Sequence, residues 1–143
     1  MDKHALFYKL VSFTASVHHV THELTKNAKP DSISQVQYNM LEYIAVSQPV
    51  TPSEINEFQN MSMPNTSREL SKLKEKKLIE KITDSQDRRK QYIRLSHEGE
   101  TVMKEAFATI ESRFQERVKR ASKEDLADIE RAIDILQSKL FYR

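Results

Sequence analysis

The sequence has no cysteine among its 143 residues, and Gly99 is its only glycine. Without cysteine, disulfides, cysteine-based zinc sites and thiol redox sensing are excluded. A single glycine is also too few for a glycine-rich phosphate-binding loop. Only four prolines are present, in a chain rich in leucine, glutamate, lysine and glutamine. This composition favours a helix-rich fold.

Long apolar runs are missing as well. No stretch approaches the roughly 20 apolar residues of a membrane span, and the N-terminus has no signal-peptide pattern. We therefore expect the protein in the cytoplasm, and its length predicts one domain, residues 1–143. No Ser/His/Asp set has a credible catalytic placement, so we expect neither an enzyme nor a bound cofactor.

Positive charge is concentrated in the middle of the chain. The formal net charge is only +2, but residues 62–94 carry ten Lys or Arg against five Asp or Glu. Residues 1–61 carry four against six, and residues 95–143 carry nine against ten. Localised positive charge indicates a polyanionic partner such as nucleic acid. The alternative is a solvated helix face on which lysines maintain solubility.

Each end of the chain predicts a long helix with an apolar seam of heptad-like spacing. The N-terminal seam, on a helix that should end near residues 27–30, is formed by Leu6, Leu10, Phe13, Val17, Val20 and Leu24. The C-terminal seam, on a helix capped by Ser122, is formed by Leu126, Ile129, Ile133, Leu136 and Leu140. Such narrow seams favour a homodimer. The alternative is that the two seams pack only on each other.

Three shorter helices are predicted next. Ser34 and Gln37 fit a capping box for the first, which should end before residues 48–49. Thr51 should cap the second, with a proline at its first position and Glu54 reaching back to the cap amide.

The second short helix should turn Ile55 and Phe58 inward and stop near Asn60. The third should begin around residues 62–64, with Met63 as its cap, because a residue before proline disfavours helical angles. Its inward stripe is formed by Thr66, Leu70 and Leu73. A joint of only a few residues between two helices is typical of a helix-turn-helix.

A two-stranded hairpin follows. Leu78–Thr83 and Gln91–Leu95 both alternate apolar and polar residues, which predicts strands. The loop between them, Ser85–Lys90, is basic. Ser96 should then cap a long helix.

Three runs in this part of the chain belong together: P-V-T-P-S-E-I, N-T-S-R-E-L-S-K-L-K-E-K-K-L-I and D-S-Q-D-R-R-K-Q-Y-I-R-L-S-H-E-G. They resemble the MarR family of winged helix-turn-helix repressors, most specifically in the D-R-R at 87–89 between K-L-I and L-S-x-x-G. The resemblance implies a mainly α fold of the α+β winged-helix type. It also implies a DNA-binding lobe at 34–95 and dimerisation helices at 1–30 and 100–143.

The resemblance further implies which residues contact double-stranded DNA. The outward residues of the second helix of the motif would enter the major groove: Met63, Pro64, Asn65, Ser67, Arg68 and Lys72. Base edges there are readable by side-chain amides and arginines. Asn65 could instead satisfy backbone amides at the helix start, and Arg68 could bind phosphate.

The hairpin loop would be the wing, formed by Asp87, Arg88, Arg89 and Lys90. The resemblance suggests Arg89 for the minor groove, where narrow AT-rich sequence concentrates negative potential. Asp87 and Arg88 would brace the loop, with Asp87 accepting from an arginine. General phosphate contacts are predicted for Lys72, Lys74, Lys90 and Arg94. The alternative is a solvated charged loop.

One position departs from the family's pattern. Lys77 stands where the family usually has glycine after the recognition helix. If the helix ends in a left-handed residue, a lysine there costs roughly 1 kcal/mol that a glycine would not.

The sequence leaves open which ligand or metal the protein senses. Many members of the family release DNA on binding a small aromatic ligand. A cavity for such a ligand could be lined here by Phe13, Tyr38, Met40 and Phe107, although core packing is the simpler interpretation of these residues. His18 and His22, with His19 between them, have a spacing that can hold a metal on one helix face. We do not predict a metal site, because no further ligand is identifiable.

The sequence therefore predicts a homodimeric transcription regulator, a repressor by resemblance, that binds a pseudo-palindrome with half-sites about one helical turn apart. A small-molecule effector would release it. Alternatives are a winged-helix protein-interaction module, a zinc-responsive regulator using His18 and His22, and a hydrolase-like helical metal protein.

Overall fold

The structure is a computed structural model that describes residues 2–143. Its elements, in chain order, are α1 (Lys3–Thr25), α2 (Gln35–Ser47), α3 (Pro52–Gln59), α4 (Met63–Glu75), β1 (Ile79–Thr83), β2 (Gln91–Leu95), α5 (His97–Val118) and α6 (Lys123–Lys139). Six helices and one two-stranded antiparallel sheet confirm the predicted mainly α winged-helix fold. The described chain divides into two compact units, residues 1–110 and 111–143. Within residues 2–143, no helix is long and apolar enough to cross a membrane.

The core of the first unit is built around α2. Met40, Leu41 and Ile44 of this helix are fully buried, as are Leu73 of α4 and Ile93 of β2. They belong to one cluster because the inward stripes of the three short helices and one face of the hairpin meet there. The predicted capping box is present: Gln37 N donates to Ser34 Oγ, and Ser34 N donates to Gln37 Oε1.

The helix-turn-helix is formed by α3 and α4. Asn60 ends α3 in a left-handed conformation, with φ of 52°. Thr66, completely buried on α4, donates to Asn56 Oδ1 of α3 at 3.0 Å. This bond satisfies a hydroxyl that would otherwise be buried without a partner, and it fixes the two helices together.

Three local predictions in this motif were wrong. The cap of α4 is Ser62, whose Oγ accepts from Asn65 N, and Met63 is the first helical residue. A serine oxygen can satisfy an orphan amide, which a methionine cannot. Glu54 accepts from the Thr51 hydroxyl rather than from the cap amide. Phe58 is half-exposed and stacks on Tyr43 at 4.2 Å between ring centroids, while Ile55 is buried as predicted.

The hairpin is anchored at its base by a third segment. Its register pairs Ile79 with Leu95 and Thr83 with Gln91. Val50 exchanges both backbone hydrogen bonds with Ile93. Because a two-stranded hairpin is marginal by itself, this extra pairing supports the wing.

The end of α4 settles the question raised by Lys77. Its φ is 62°, and the amides of Lys77 and Leu78 donate to the carbonyls of Lys74 and Leu73. This is the double hydrogen-bond pattern of a helix that ends with a left-handed residue, a position at which glycine is favoured.

We expect Lys77→Gly to raise the free energy of unfolding by about 0.5–1 kcal/mol, because it relieves the cost of a side chain in left-handed backbone. Urea unfolding followed by circular dichroism measures the change. Lys74→Gly is the matched control, since it places a glycine inside α4 and should lower stability by about 1 kcal/mol. A loss of stability in both variants would contradict the assignment.

Candidate DNA-binding surface

The start of α4 presents an exposed polar face. Met63, Pro64, Asn65, Ser67 and Arg68 are all exposed. Ser62 Oγ accepts a hydrogen bond from the backbone amide of Asn65, so the Asn65 side chain is not needed to satisfy an amide at the helix start. Instead, Asn65 Oδ1 accepts from Arg68 Nη1 at 3.2 Å. The two residues suggested for base contacts therefore stand next to each other on one turn.

The cations assigned to phosphate contacts are exposed. Lys72 lies one turn after Arg68, and its Nζ is 3.4 Å from Glu69 Oε1. Arg94 pairs across the strands with Glu80 at 3.0 Å. Lys74 and Lys90 are also exposed.

Two aspartates shape the tip of the hairpin. Asp84 Oδ1 accepts from Gln86 N at 2.9 Å, and Asp87 Oδ1 accepts from Arg89 N at 3.0 Å. Backbone bonds from Asp84 N to Lys90 O and from Lys90 N to Asp87 O close the loop. Side-chain carboxylates that bond to backbone two residues ahead are a usual device for holding turns.

Asp87 binds Arg89 through its side chain as well. Arg89 Nε donates to Asp87 Oδ1 at 3.0 Å and Nη2 donates to Oδ2 at 3.2 Å. This bidentate pairing, together with the bond from the Arg89 amide, lowers the pKa of the Asp87 carboxyl. The Arg89 side chain nevertheless remains 92% exposed. The arginine that Asp87 accepts from is therefore Arg89 itself, the residue suggested for the minor groove, and the pairing orients its guanidinium.

The residues considered for sensing are dispersed. Tyr38 and Met40 are buried in the core, and Phe107 packs against it, whereas Phe13 is half-exposed on α1. Burial, followed by the nearby Glu42 charge, raises the pKa of the Tyr38 hydroxyl. His18, His19 and His22 are exposed on α1. Within the described part of the chain, no group of three or more His, Cys, Asp or Glu could hold a metal ion.

The two apolar seams are largely exposed in the single chain. On α1, Leu6, Phe13 and Val17 are each between 44% and 50% exposed. On α6, considered by itself, Leu126, Ile129, Ile133 and Leu140 are between 42% and 53% exposed. Helices with this much uncovered apolar surface are unusual in a monomer.

The sequence identifies Gln37 only as half of a capping box and does not single out Glu69. In the structure, Gln37 is buried and contacts Glu69 of α4 and Lys76, the C-cap of that helix. The capping spacing identified Gln37 from sequence. The contacts to α4 could not be found that way, because they join residues more than 30 positions apart.

A model of the MarR family matches residues 32–90. Among solved structures, the chain is similar to a mutant of MepR from Staphylococcus aureus, with 24% identity over 90% of this chain and 96% of that one and a TM-score of 0.77. It is also similar to Staphylococcus aureus MarR in complex with salicylate and kanamycin, with 19% identity, coverage of 96% and 93%, and a TM-score of 0.72.

A third similar structure is another Staphylococcus aureus MepR mutant, bound to an oligodeoxyribonucleotide. It is 22% identical, covers 90% of this chain and 97% of that one, and has a TM-score of 0.59. No curated protein matched the sequence. At these identities the structural matches establish the fold, and the family match establishes the resemblance over residues 32–90.

Proposed function

We propose that the protein is a sequence-specific DNA-binding transcription repressor acting as a homodimer. The premise is that residues 32–90 of this chain belong to the MarR family. The observation that carries the proposal is the shared exposure of the α4 start and the Asp87–Arg89 pair at the wing tip. The residues proposed to contact DNA are the recognition-helix set and the wing set named from the sequence. Both belong to the 62–94 block, which holds the excess of positive charge.

The two parts of this surface suit different grooves. An α-helix fits the major groove, where each base pair shows a distinct pattern of donors and acceptors, and Asn65 and Arg68 are residue types that read it. A wing arginine suits the narrow minor groove of AT-rich sequence. Lys72, Lys90 and Arg94 would contribute affinity by neutralising phosphates without reading sequence.

The homodimer is supported by the exposed seams of α1 and α6. A symmetric dimer repeats one interface on both protomers and would carry two wings, which matches a pseudo-palindromic site with half-sites about one helical turn apart. We assign residues 34–95 to the DNA-binding lobe and residues 1–30 and 100–143 to dimerisation.

Regulation by a small molecule is part of the proposal. One of the similar structures contains salicylate and kanamycin. In this chain, a cavity of about 310 Å³ in the first unit is lined mainly by apolar residues and includes one lysine: Pro30, Ser32, Ile33, Lys76, Leu78 and Val102. An aromatic acid would find apolar contacts and one cation there.

The direct test is selection of bound sequences from random double-stranded DNA, repeated with salicylate and related aromatic acids present. We expect an enriched pseudo-palindrome in the absence of effector, and weaker retention of the selected DNA in its presence. Recovery of no enriched sequence at low salt would favour the alternative of a winged-helix module that binds protein instead.

We expect Arg89→Ala to weaken binding to the selected operator by about tenfold or more, since it removes a minor-groove cation. The salt dependence should fall by about one counterion per wing. Fluorescence anisotropy at several salt concentrations measures both quantities. Arg88→Ala is the control: it removes the same charge from the same loop but leaves the Asp87–Arg89 pairing in place, and a smaller loss is expected. Equal losses from the two variants would contradict the assignment of Arg89.

A further inference from the structure

A buried amide links α2 to one charged residue of the proposed recognition helix and to the charged residue that caps its C-terminal end. Gln37 is 5% exposed, and its Nε2 donates to Glu69 Oε2 at 3.1 Å. Its Oε1 accepts from Lys76 Nζ at 2.8 Å and from Ser34 N at 3.2 Å. An uncharged amide can donate to an anion and accept from a cation at the same time, which no carboxylate or aliphatic side chain can do.

Glu69 is an acidic residue among the cations of α4. It lies four residues after Asn65 and three before Lys72, and side chains at these spacings lie on the same side of a helix. Its side chain is nevertheless only 18% exposed, while that of Lys72 is 50% exposed. The difference follows from the bonds it makes: Oε2 is held by Gln37, and Oε1 lies near Lys72 Nζ.

We propose that Gln37 is a positioning residue for DNA recognition, because its amide holds the Glu69 carboxylate against α2 and away from the DNA-facing edge of α4. This inference rests on the proposed function. Held there, the carboxylate pairs through Oε1 with Lys72 Nζ at 3.4 Å, while Arg68 donates to Asn65. A released Glu69 would carry its negative charge toward Asn65 and Arg68, where phosphate repels it.

The hydrogen bond between Gln37 and Glu69 can be broken by replacing the amide nitrogen of Gln37 with an oxygen. Gln37→Glu has the same shape and can still accept from Lys76 and from the Ser34 amide, so it retains the cap of α2. It cannot donate to Glu69, and it places two like charges together, which is unfavourable at close range. We expect the affinity for the selected operator to fall roughly tenfold, with a salt slope smaller by about one counterion per protomer.

Exchange of the two groups provides the decisive measurement. In the double variant Gln37→Glu with Glu69→Gln, the amide and the carboxylate trade places, so a hydrogen bond can form again in the opposite direction at unchanged net charge. We expect operator affinity to return to within about threefold of the wild type. A recovery of this size from a tenfold loss lies within the coupling energies seen for residues in direct contact. Affinity in the double variant no better than in Gln37→Glu would overturn the proposal, as would a Gln37→Glu variant that binds like wild type.

Gln35→Glu is the matched control. It adds the same charge to an exposed position of α2, where Gln35 contacts Asn39 rather than α4. It should bind the operator within about twofold of wild type, since an exposed charge away from the site contributes little. A tenfold loss of operator affinity in this control would show that the added net charge causes the loss seen in Gln37→Glu, and it would overturn the proposal.

A second substitution covers the case in which Gln37→Glu does not fold. Gln37→Met keeps the volume and removes both hydrogen-bonding atoms. Its operator affinity is measured with and without Glu69→Gln, at a temperature where circular dichroism shows both variants folded. Recovery of binding by Glu69→Gln supports the proposal, and no recovery contradicts it. If the wild type itself selects no operator, the proposed function fails; if the wild type binds and the exchange restores nothing, only the role of Gln37 fails.

Discussion

We expect Gly99→Ala to lower the free energy of unfolding by at least about 3 kcal/mol, a large effect for one methyl group. Gly99 lies in the first turn of α5, where a Cβ would fall far inside contact distance of the Leu78 carbonyl oxygen and 3.0 Å from its carbonyl carbon. These are backbone atoms that cannot rotate away. The same carbonyl accepts from Ser96 N at 3.0 Å, so moving it also disturbs the junction between wing and helix.

Chemical denaturation with urea measures this effect, and the thermal midpoint should fall by about 10 °C or more. Glu98→Ala is the control, because it introduces the same alanine at an exposed neighbouring position of α5. Elsewhere in a helix, a change from glycine to alanine stabilises by about 0.5–1 kcal/mol. A stable Gly99→Ala protein would therefore show that α5 and the entry to β1 are not packed as closely as described.

The second large effect is expected on the assembly. Ile133 of α6 is 53% exposed and lies in the apolar seam proposed for dimerisation. In a symmetric dimer, Ile133→Asp places one carboxylate from each protomer in an apolar interface, where an unpaired charge is costly. We expect the dimer dissociation constant to rise about 100-fold or more, and operator binding to weaken with it.

Analytical ultracentrifugation over a concentration series measures the dissociation constant. Ala127→Asp serves as the control, since it adds the same charge to an exposed residue on the opposite side of α6. It should leave the association unchanged. Wild-type protein that sediments as a monomer at micromolar concentration would remove both the dimer and the two-wing geometry from the proposal.

Much of the fold was predictable because its signals are local. The capping boxes at Ser34 and Ser122, the inward stripe of α4, and the strand alternation on either side of the basic loop depend on residues a few positions apart. Lys77 is instructive in this respect. Its departure from the family's glycine implied a cost only if the helix ends in a left-handed residue, and its φ of 62° shows that the helix does end that way.

The predictions that were wrong concern competition between neighbours. Met63 was the predicted cap of α4, but Ser62 takes that position because its hydroxyl can accept from the amide of Asn65. The spacing predicts that Phe58 faces inward, but it lies half-exposed against Tyr43. Periodicity indicates which side of a helix faces the core and does not show how far that side is covered.

The sequence by itself determined the composition of the candidate site: the excess of positive charge at 62–94, the D-R-R of the wing, and the helix and strand signals on either side of it. Only the tertiary structure decided how those residues are held. Asp87 orients Arg89, the carbonyl of Leu78 requires a glycine at 99, and Gln37 draws Glu69 back toward α2. Sequence patterns are local and periodic, whereas these contacts depend on the packing angles of whole helices, which bring together residues far apart in the chain.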